Sequence, residues 1–432
     1  MKLFGTMKIN DMGNLSIGGC DAVNLAKKYG TPLYVMDVTM IREHCQAFKK
    51  HFSNKKVDTE VIYASKAFLT IGMCKLIEEE GLSLDVVSGG ELYTAMKAKF
   101  PADKIYFHGN NKTVEELMMA INYGVNRIIV DNEFEFELLN YLCSELDQTV
   151  EVLVRINPGI EAHTHEYIQT AHNDSKFGIS IHNPVLLKLI NDINDSYFVT
   201  LKGFHYHIGS QILEIDSFVK ATEAAFDFME HLHSEIGFVT EEMNLGGGFG
   251  VYYSEEDTPL DIPACLQAML DTAVISAQER KLKMPKLLIE PGRSIVANSG
   301  TTLYKIGATK ETYGGKHFVF INGGMTDNPR TALYNSVYEA IIANRADAEA
   351  TRTYTVAGKC CESGDVVIKS IDLPIAHKND TLAVFSTGAY NYSMASNYNR
   401  LRKPAVVFVE NGKSSLVVRR ETYEDIIRND IG

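Results

Sequence analysis

Lys66 closes an apolar, β-favouring run, Val61-Ile-Tyr-Ala-Ser-Lys66-Ala67. Side chains alternate along a strand, so Ile62, Ala64 and Lys66 share one face. An amine at the end of a buried strand is partly desolvated, which lowers its pKa and makes it a better nucleophile. Lysine chemistry of that kind forms a Schiff base with a carbonyl compound. Taken alone, the residue reads more simply as a solvated lysine just past a strand end. Other stretches carry complementary chemistry. His205 and His207 share a strand face, and either could stack on an aromatic ring. Gly246-Gly-Gly248 and Pro291-Gly-Arg293 let backbone N–H groups approach an anion closely, and Ser210 could add a hydroxyl. Glu290 could pair with a protonated ring nitrogen. Each has a plainer reading as well: a core histidine, a tight turn, a strand-end ion pair.

The elements that must position these residues follow a pattern. Strand-like runs span 61–64, 84–87, 104–108, 127–131, 151–156, 203–207, 242–245 and 286–290. Segments with apolar residues at helical spacing lie between them, including 90–100, 113–123, 133–146 and 217–235. Alternating strands and helices imply a parallel sheet with right-handed crossovers, and eight units predict an α/β fold with a closed TIM-like (β/α)8 barrel. An open doubly wound sheet is the alternative, but no Gly-x-Gly-x-x-Gly follows the first strand. Chemistry in such barrels sits at the C-terminal ends of the strands. Lys66, Ser88-Gly-Gly-Glu91, His108-Gly-Asn-Asn111, Arg155-Ile-Asn-Pro-Gly159, His205-Tyr-His207, Gly246-Gly-Gly248 and Glu290-Pro-Gly-Arg293 all fall there. Beyond Arg293 the helical pattern fades into short strands at 319–321, 354–356, 382–386, 405–409 and 415–418. The expected division is a barrel at 37–298 and a mostly β sandwich- or barrel-like domain made of 1–36 plus 299–432. That domain would take up the N-terminal strands, including Pro32-Leu-Tyr-Val-Met36.

Composition narrows the classes. At 432 residues with 45% hydrophobic content, two cored domains are expected. A formal net charge of −13 argues against nucleic acid or an anionic membrane as the main partner. No apolar run is long enough to span a bilayer, and the first ten residues lack the core of a secretion signal. Seven cysteines without a Cys-x-x-Cys pair read as the reduced thiols of a cytoplasmic protein. His163, His165 and His172 lie in a long connection after the fifth strand, with spacing that fits no zinc pattern, so no metal is expected.

A nucleophilic lysine, a phosphate cradle, a stacking histidine and a ring carboxylate together describe pyridoxal 5′-phosphate. Tyr63-Ala-Ser-Lys66-Ala, His205-Tyr-His207-Ile-Gly-Ser-Gln211, Gly246-Gly-Gly-Phe-Gly250, Glu290-Pro-Gly-Arg293 and Cys361-Glu-Ser-Gly-Asp365 resemble the group IV (fold type III) pyridoxal-phosphate decarboxylases. Within that family the sequence is most similar to the diaminopimelate decarboxylases, from Gly30-Thr-Pro-Leu-Tyr34 to Gly388-Ala-Tyr390. The resemblance implies decarboxylation of meso-2,6-diaminopimelate to L-lysine, the last step of lysine synthesis. It also implies a homodimer with shared active sites. It makes Lys66 the Schiff-base lysine, His207 the ring-stacking residue and Glu290 the pyridine-nitrogen partner. Ser210, Gly247, Gly248, Gly292, Arg293 and Tyr390 become phosphate or cofactor contacts. Arg293, Arg330, Tyr334, Glu362 and Tyr390 become substrate contacts, and Cys361 the acid that reprotonates the carbanion, supplied with Glu362 by a second subunit. The family's segment after the cysteine and glutamate is often shorter, so Gly364 is expected to shift Asp365. Cys360 is expected to be a packed thiol.

The substrate expectation rests on Arg330 in Met325-Thr-Asp-Asn-Pro-Arg-Thr-Ala-Leu-Tyr334. Arginine offers a bidentate fork for a carboxylate, which suits the uncleaved end of diaminopimelate. Decarboxylases of ornithine, arginine, lysine or carboxynorspermidine stay as alternatives. An alanine-racemase-like enzyme is a more distant one, because that family sets an arginine where Glu290 stands.

Overall fold

The computed structural model describes residues 2–159 and 175–432. The expected histidines 163, 165 and 172 lie outside the described residues. The chain falls into two compact units. One comprises residues 45–250 and 259–294; the other comprises 1–44, 251–258 and 295–432.

The first unit is a closed parallel barrel, as expected. Its strands are β1 (Thr59–Ala64), β2 (Ser83–Val86), β3 (Ile105–Phe107), β4 (Arg127–Val130), β5 (Val150–Asn157), β6 (Val199–His205), β7 (Glu242–Asn244) and β8 (Lys286–Ile289). Neighbours pair in chain order, and β8 closes onto β1 with Ile289 beside Val61. Both faces of such strands are covered, which is why Arg127-Ile-Ile-Val130 is buried along its whole length rather than at alternate positions. Inside, Ile62, Tyr106, Ile129, Leu153 and Leu288 form one packed cluster.

Several helices begin immediately beyond strand ends because a polar residue there caps them. Ser88 receives the Glu91 N–H, Thr113 forms a capping box with Glu116, and Asn132 receives the Glu135 N–H. A strand that ends on a cap must release its last side chains into the mouth. The strands are shorter there than the sequence predicts. β6 ends at His205 and β8 at Ile289, so His207 and Glu290 stand just past the sheet.

The second unit is mostly β and includes the early strands, as expected. Its main sheet runs Val366–Leu373, Arg352–Ala357, His317–Ile321, Gly300–Glu311, Leu33–Asp37, Ala405–Glu410, Lys413–Val418. Leu33–Asp37 is therefore an interior strand, antiparallel to Gly300–Glu311 and parallel to Ala405–Glu410. The 12-residue strand Gly300–Glu311 escapes sequence reading because Thr, Lys and Gly interrupt its apolar alternation. Two buried clusters fill this unit, one around Leu33, Val35 and Val407 and one around Tyr304, Val356 and Val384. No helix among the described residues is long and apolar enough to cross a membrane.

Candidate active site

The barrel mouth gathers Lys66, His207, Ser210, Gly247, Gly248, Glu290, Gly292 and Arg293. Lys66 sits in a short 3-10 turn, Ser65–Ala67, directly after β1. The turn is pinned from below. The Ser65 N–H donates to Asp85 Oδ1 at 2.7 Å, and Ser65 Oγ donates to Glu91 at 3.1 Å. Lys66 is close enough to Asp85, Glu91 and His207 for its charge to bear on the titration of all three. Burial pushes the Asp85 carboxyl up, partly offset by Lys66 and His108. Asp85 Oδ2 has no hydrogen-bond partner among the described residues.

Glu290 is nearly inaccessible, at 5% exposure. Burial alone would raise its pKa. His108 and His205 outweigh that and hold the carboxyl well below the usual carboxylate range. His108 Nε2 lies 2.7 Å from Oε1, His205 Nε2 lies 3.1 Å from Oε2, and Asn244 donates to Oε1 at 2.8 Å. His207 is kept neutral by burial, by Lys66 and by Arg155. Its Nδ1 accepts the Gly247 N–H at 3.2 Å, which fixes the tautomer with the proton on Nε2.

The glycine turns are compelled by close backbone approach. A Cβ on Gly247 would lie 2.0 Å from the Glu290 carbonyl oxygen. Gly248 has φ +104°, and its Cβ would lie 2.2 Å from the Gly209 carbonyl oxygen. Beside them Arg293 donates to Ser210 Oγ at 2.8 Å, so a guanidinium and a hydroxyl are held together. An amine, an anion-binding donor set and a buried carboxylate match the three handles of a pyridoxal 5′-phosphate: aldehyde, phosphate and ring nitrogen. The unpartnered oxygen of Asp85 beside the lysine is what a site built for a further polar group would retain.

The remaining sequence-predicted residues belong to the β unit. Arg330 opens a short helix, Arg330–Tyr334, and is buried. Its guanidinium lies 4.9 Å from the Tyr334 ring centroid and 5.3 Å from that of Tyr390. Tyr390 adopts φ +59°, a backbone conformation costly for a residue with a Cβ. Cys361 and Glu362 are exposed on a turn whose anchor is Asp365. Asp365 is buried despite the intervening Gly364, and accepts from Met325 N–H at 2.6 Å and Cys360 N–H at 2.7 Å. It thereby ties the Cys361 turn to the segment that carries Arg330. Burial and Asp365 push the Cys360 thiol up to about 12.

Asp85, His108 and Asn244 have no role in the sequence reading. His108 and Asn244 were findable as strand-end positions. For Asp85 the signal was an acid inside the apolar stretch Leu84-Asp-Val-Val87.

Comparison with known proteins bears on this arrangement. A family model described as "Pyridoxal-dependent decarboxylase, pyridoxal binding domain" matches residues 38–297. A diaminopimelate decarboxylase of Bacillus subtilis (strain 168) is 51% identical over 431 residues, covering 100% of this chain and 98% of the relative. The chain belongs to the diaminopimelate decarboxylase family. The crystal structure of the M. jannaschii diaminopimelate decarboxylase in co-complex with L-lysine superposes with a TM-score of 0.91 at 36% identity, covering 99% of this chain and 98% of that one. The Helicobacter pylori diaminopimelate decarboxylase complexed with L-lysine gives 0.86 at 28% identity, covering 94% and 98%. Family membership also accounts for pairing a barrel with a β unit that recruits Leu33–Asp37.

Proposed function

We propose that the chain removes carbon dioxide from one end of meso-2,6-diaminopimelate, leaving L-lysine, as a cytoplasmic biosynthetic enzyme. The observation that carries the substrate choice is Arg330, a buried guanidinium set against two tyrosine rings. A cation fixed in that way is arranged for a carboxylate, and of the candidate basic substrates diaminopimelate is the one with a carboxylate at each end.

Lys66 would hold pyridoxal 5′-phosphate covalently, with His207 against its ring and Glu290 against its ring nitrogen. Ser210, Gly247, Gly248, Gly292 and Arg293 would contact its phosphate or the rest of the cofactor. When bound, the cofactor supplies an electron sink for the charge left at the α-carbon as the carboxylate departs. Arg330 would orient the uncleaved carboxylate, with Tyr334 and Tyr390 beside it, and Glu362 would take the amine of that end. Cys361 Sγ gives its proton to the α-carbon and is reprotonated from solvent. Exposed Cys361 and Glu362 suit a homodimer in which a second copy supplies both residues.

The test is carbon dioxide release from meso-diaminopimelate against ornithine, arginine, lysine and carboxynorspermidine. Diaminopimelate should lead in kcat/KM, and a higher value for any of the others overturns the substrate assignment. Cys361→Ala should lower turnover by about 10²–10⁴-fold, the range of a lost general acid, while Cys360→Ala should leave it nearly intact.

A further inference from the structure

Three polar side chains, from the ends of three different strands, converge on the single carboxylate of Glu290. His108 follows β3, while His205 and Asn244 are the last residues of β6 and β7. The two histidines are 5% and 2% exposed, and their rings pack edge to face with centroids 4.7 Å apart. His205 makes a directed hydrogen bond to Oε2. His108 meets Oε1 at ion-pair distance, off the axis of a straight hydrogen bond. The other titratable groups whose charge bears on this carboxylate are Asp85, Arg155 and His207. Burying so many polar side chains around one acid is costly unless the acid must stay ionised.

We propose that His205 and His108 are positioning residues for Glu290. They make its carboxylate a weak base, so that a ring nitrogen set against it keeps its proton. The inference rests on the reading that Glu290 faces the cofactor's ring nitrogen. Between two partners sharing a proton, the proton stays on the more basic one. Each hydrogen bond donated to the carboxylate lowers its basicity and leaves the proton on nitrogen. His205 suits this duty because burial holds its imidazole neutral, with its pKa down at about 3. It donates without placing a second positive charge beside the ring. His205 Nδ1, without a partner among the described residues, is the bare lone pair that this tautomer leaves behind.

The experiment uses full-length protein reconstituted with pyridoxal phosphate labelled with ¹⁵N in its ring. Three quantities are read: the ¹⁵N chemical shift, cofactor affinity, and divalent-metal content by mass spectrometry. His205→Leu should move the shift toward the unprotonated position and weaken cofactor binding about tenfold or more, the scale of a hydrogen bond to a charged group. His205→Gln, which restores an amide donor, should recover most of both. In a Glu290→Gln background His205→Leu should add nothing. Should His205→Leu fail to fold, His108→Leu is read in its place. Folded variants with the wild-type shift and affinity overturn the proposal. A wild-type shift in Glu290→Gln alone would instead sink the underlying reading of Glu290, and the inference with it. His108, His205 and Glu290 lie close enough together to ligate an ion. A stoichiometric divalent metal that vanishes in His205→Leu would make them a metal site and overturn the proposal as well.

Discussion

At the N-terminal floor of the barrel, Arg127 forks onto Glu242 at 2.7 and 2.9 Å and also reaches Glu151 at 2.5 Å. Glu60 takes Lys286 at 2.6 Å, the Tyr106 hydroxyl at 3.1 Å and the Ser83 hydroxyl. None of Glu60, Ser83, Tyr106, Arg127, Glu242 and Lys286 holds a buried polar atom without a partner. At the opposite end of the same eight strands, Asp85 and His205 each keep one. Both ends bury charge. This network of floor residues closes its hydrogen bonds internally, whereas the mouth leaves valences for a guest. Satisfied networks make a fold rigid, and unsatisfied ones mark where it has been kept ready for chemistry.

That contrast breaks if mouth residues prove structural or floor residues catalytic. The largest effect is expected from Lys66→Ala. Carbon dioxide release should fall by at least about 10³-fold, as for the loss of other covalent catalytic groups, with the thermal midpoint little changed. A comparable loss of midpoint would mean that the lysine holds the mouth together instead. Next comes the floor. Arg127→Met strands the buried Glu242 carboxylate and should cost about 3–5 kcal/mol of unfolding free energy in urea. Turnover per folded molecule should not move. Adding Glu242→Leu should restore most of that stability, since an apolar pair replaces the ion pair.

The smallest effect is a pH slope. His205 is held neutral when folded, with its pKa near 3, but takes a proton near 6.5 when unfolded. Its contribution to stability is therefore complete above pH 6.5 and is lost as pH falls toward 3. Between pH 6.5 and 4 the unfolding free energy of the wild type should drop more steeply than that of His205→Gln, by up to about 1.4 kcal/mol per pH unit. Parallel curves would show that the mouth does not bear this strain.

The contrast also explains what could be read from the sequence. Strand and helix periodicity disclosed the barrel because its helices are amphipathic and its strands apolar on both faces, as in Arg127–Val130. Lys66, His207 and Glu290 were legible because each lies at or just past a strand end. The two-histidine cage was not. His108 and Glu290 are 182 residues apart in the chain, and only closure of the barrel brings them within 2.7 Å. Gly300–Glu311 was hidden for a different reason. A strand paired with Leu33–Asp37, His317–Ile321 and Thr381–Val384 draws its stability from its neighbours more than from its own side chains.

The interior place of Leu33–Asp37 governs the order of assembly on the ribosome. Its antiparallel neighbour begins at Gly300 and its parallel neighbour at Ala405. The whole barrel emerges before either, so the barrel is expected to close while Leu33–Asp37 still lacks both partners. Translation at about 5–20 residues per second makes that wait tens of seconds, with two apolar strand edges open to other nascent chains. Ribosome-bound chains stalled so that β8 has cleared the exit tunnel while Gly300–Glu311 is still inside it should therefore protect the barrel strands from hydrogen exchange and leave residues 33–37 unprotected. Protection of both at that stage would rule this order out.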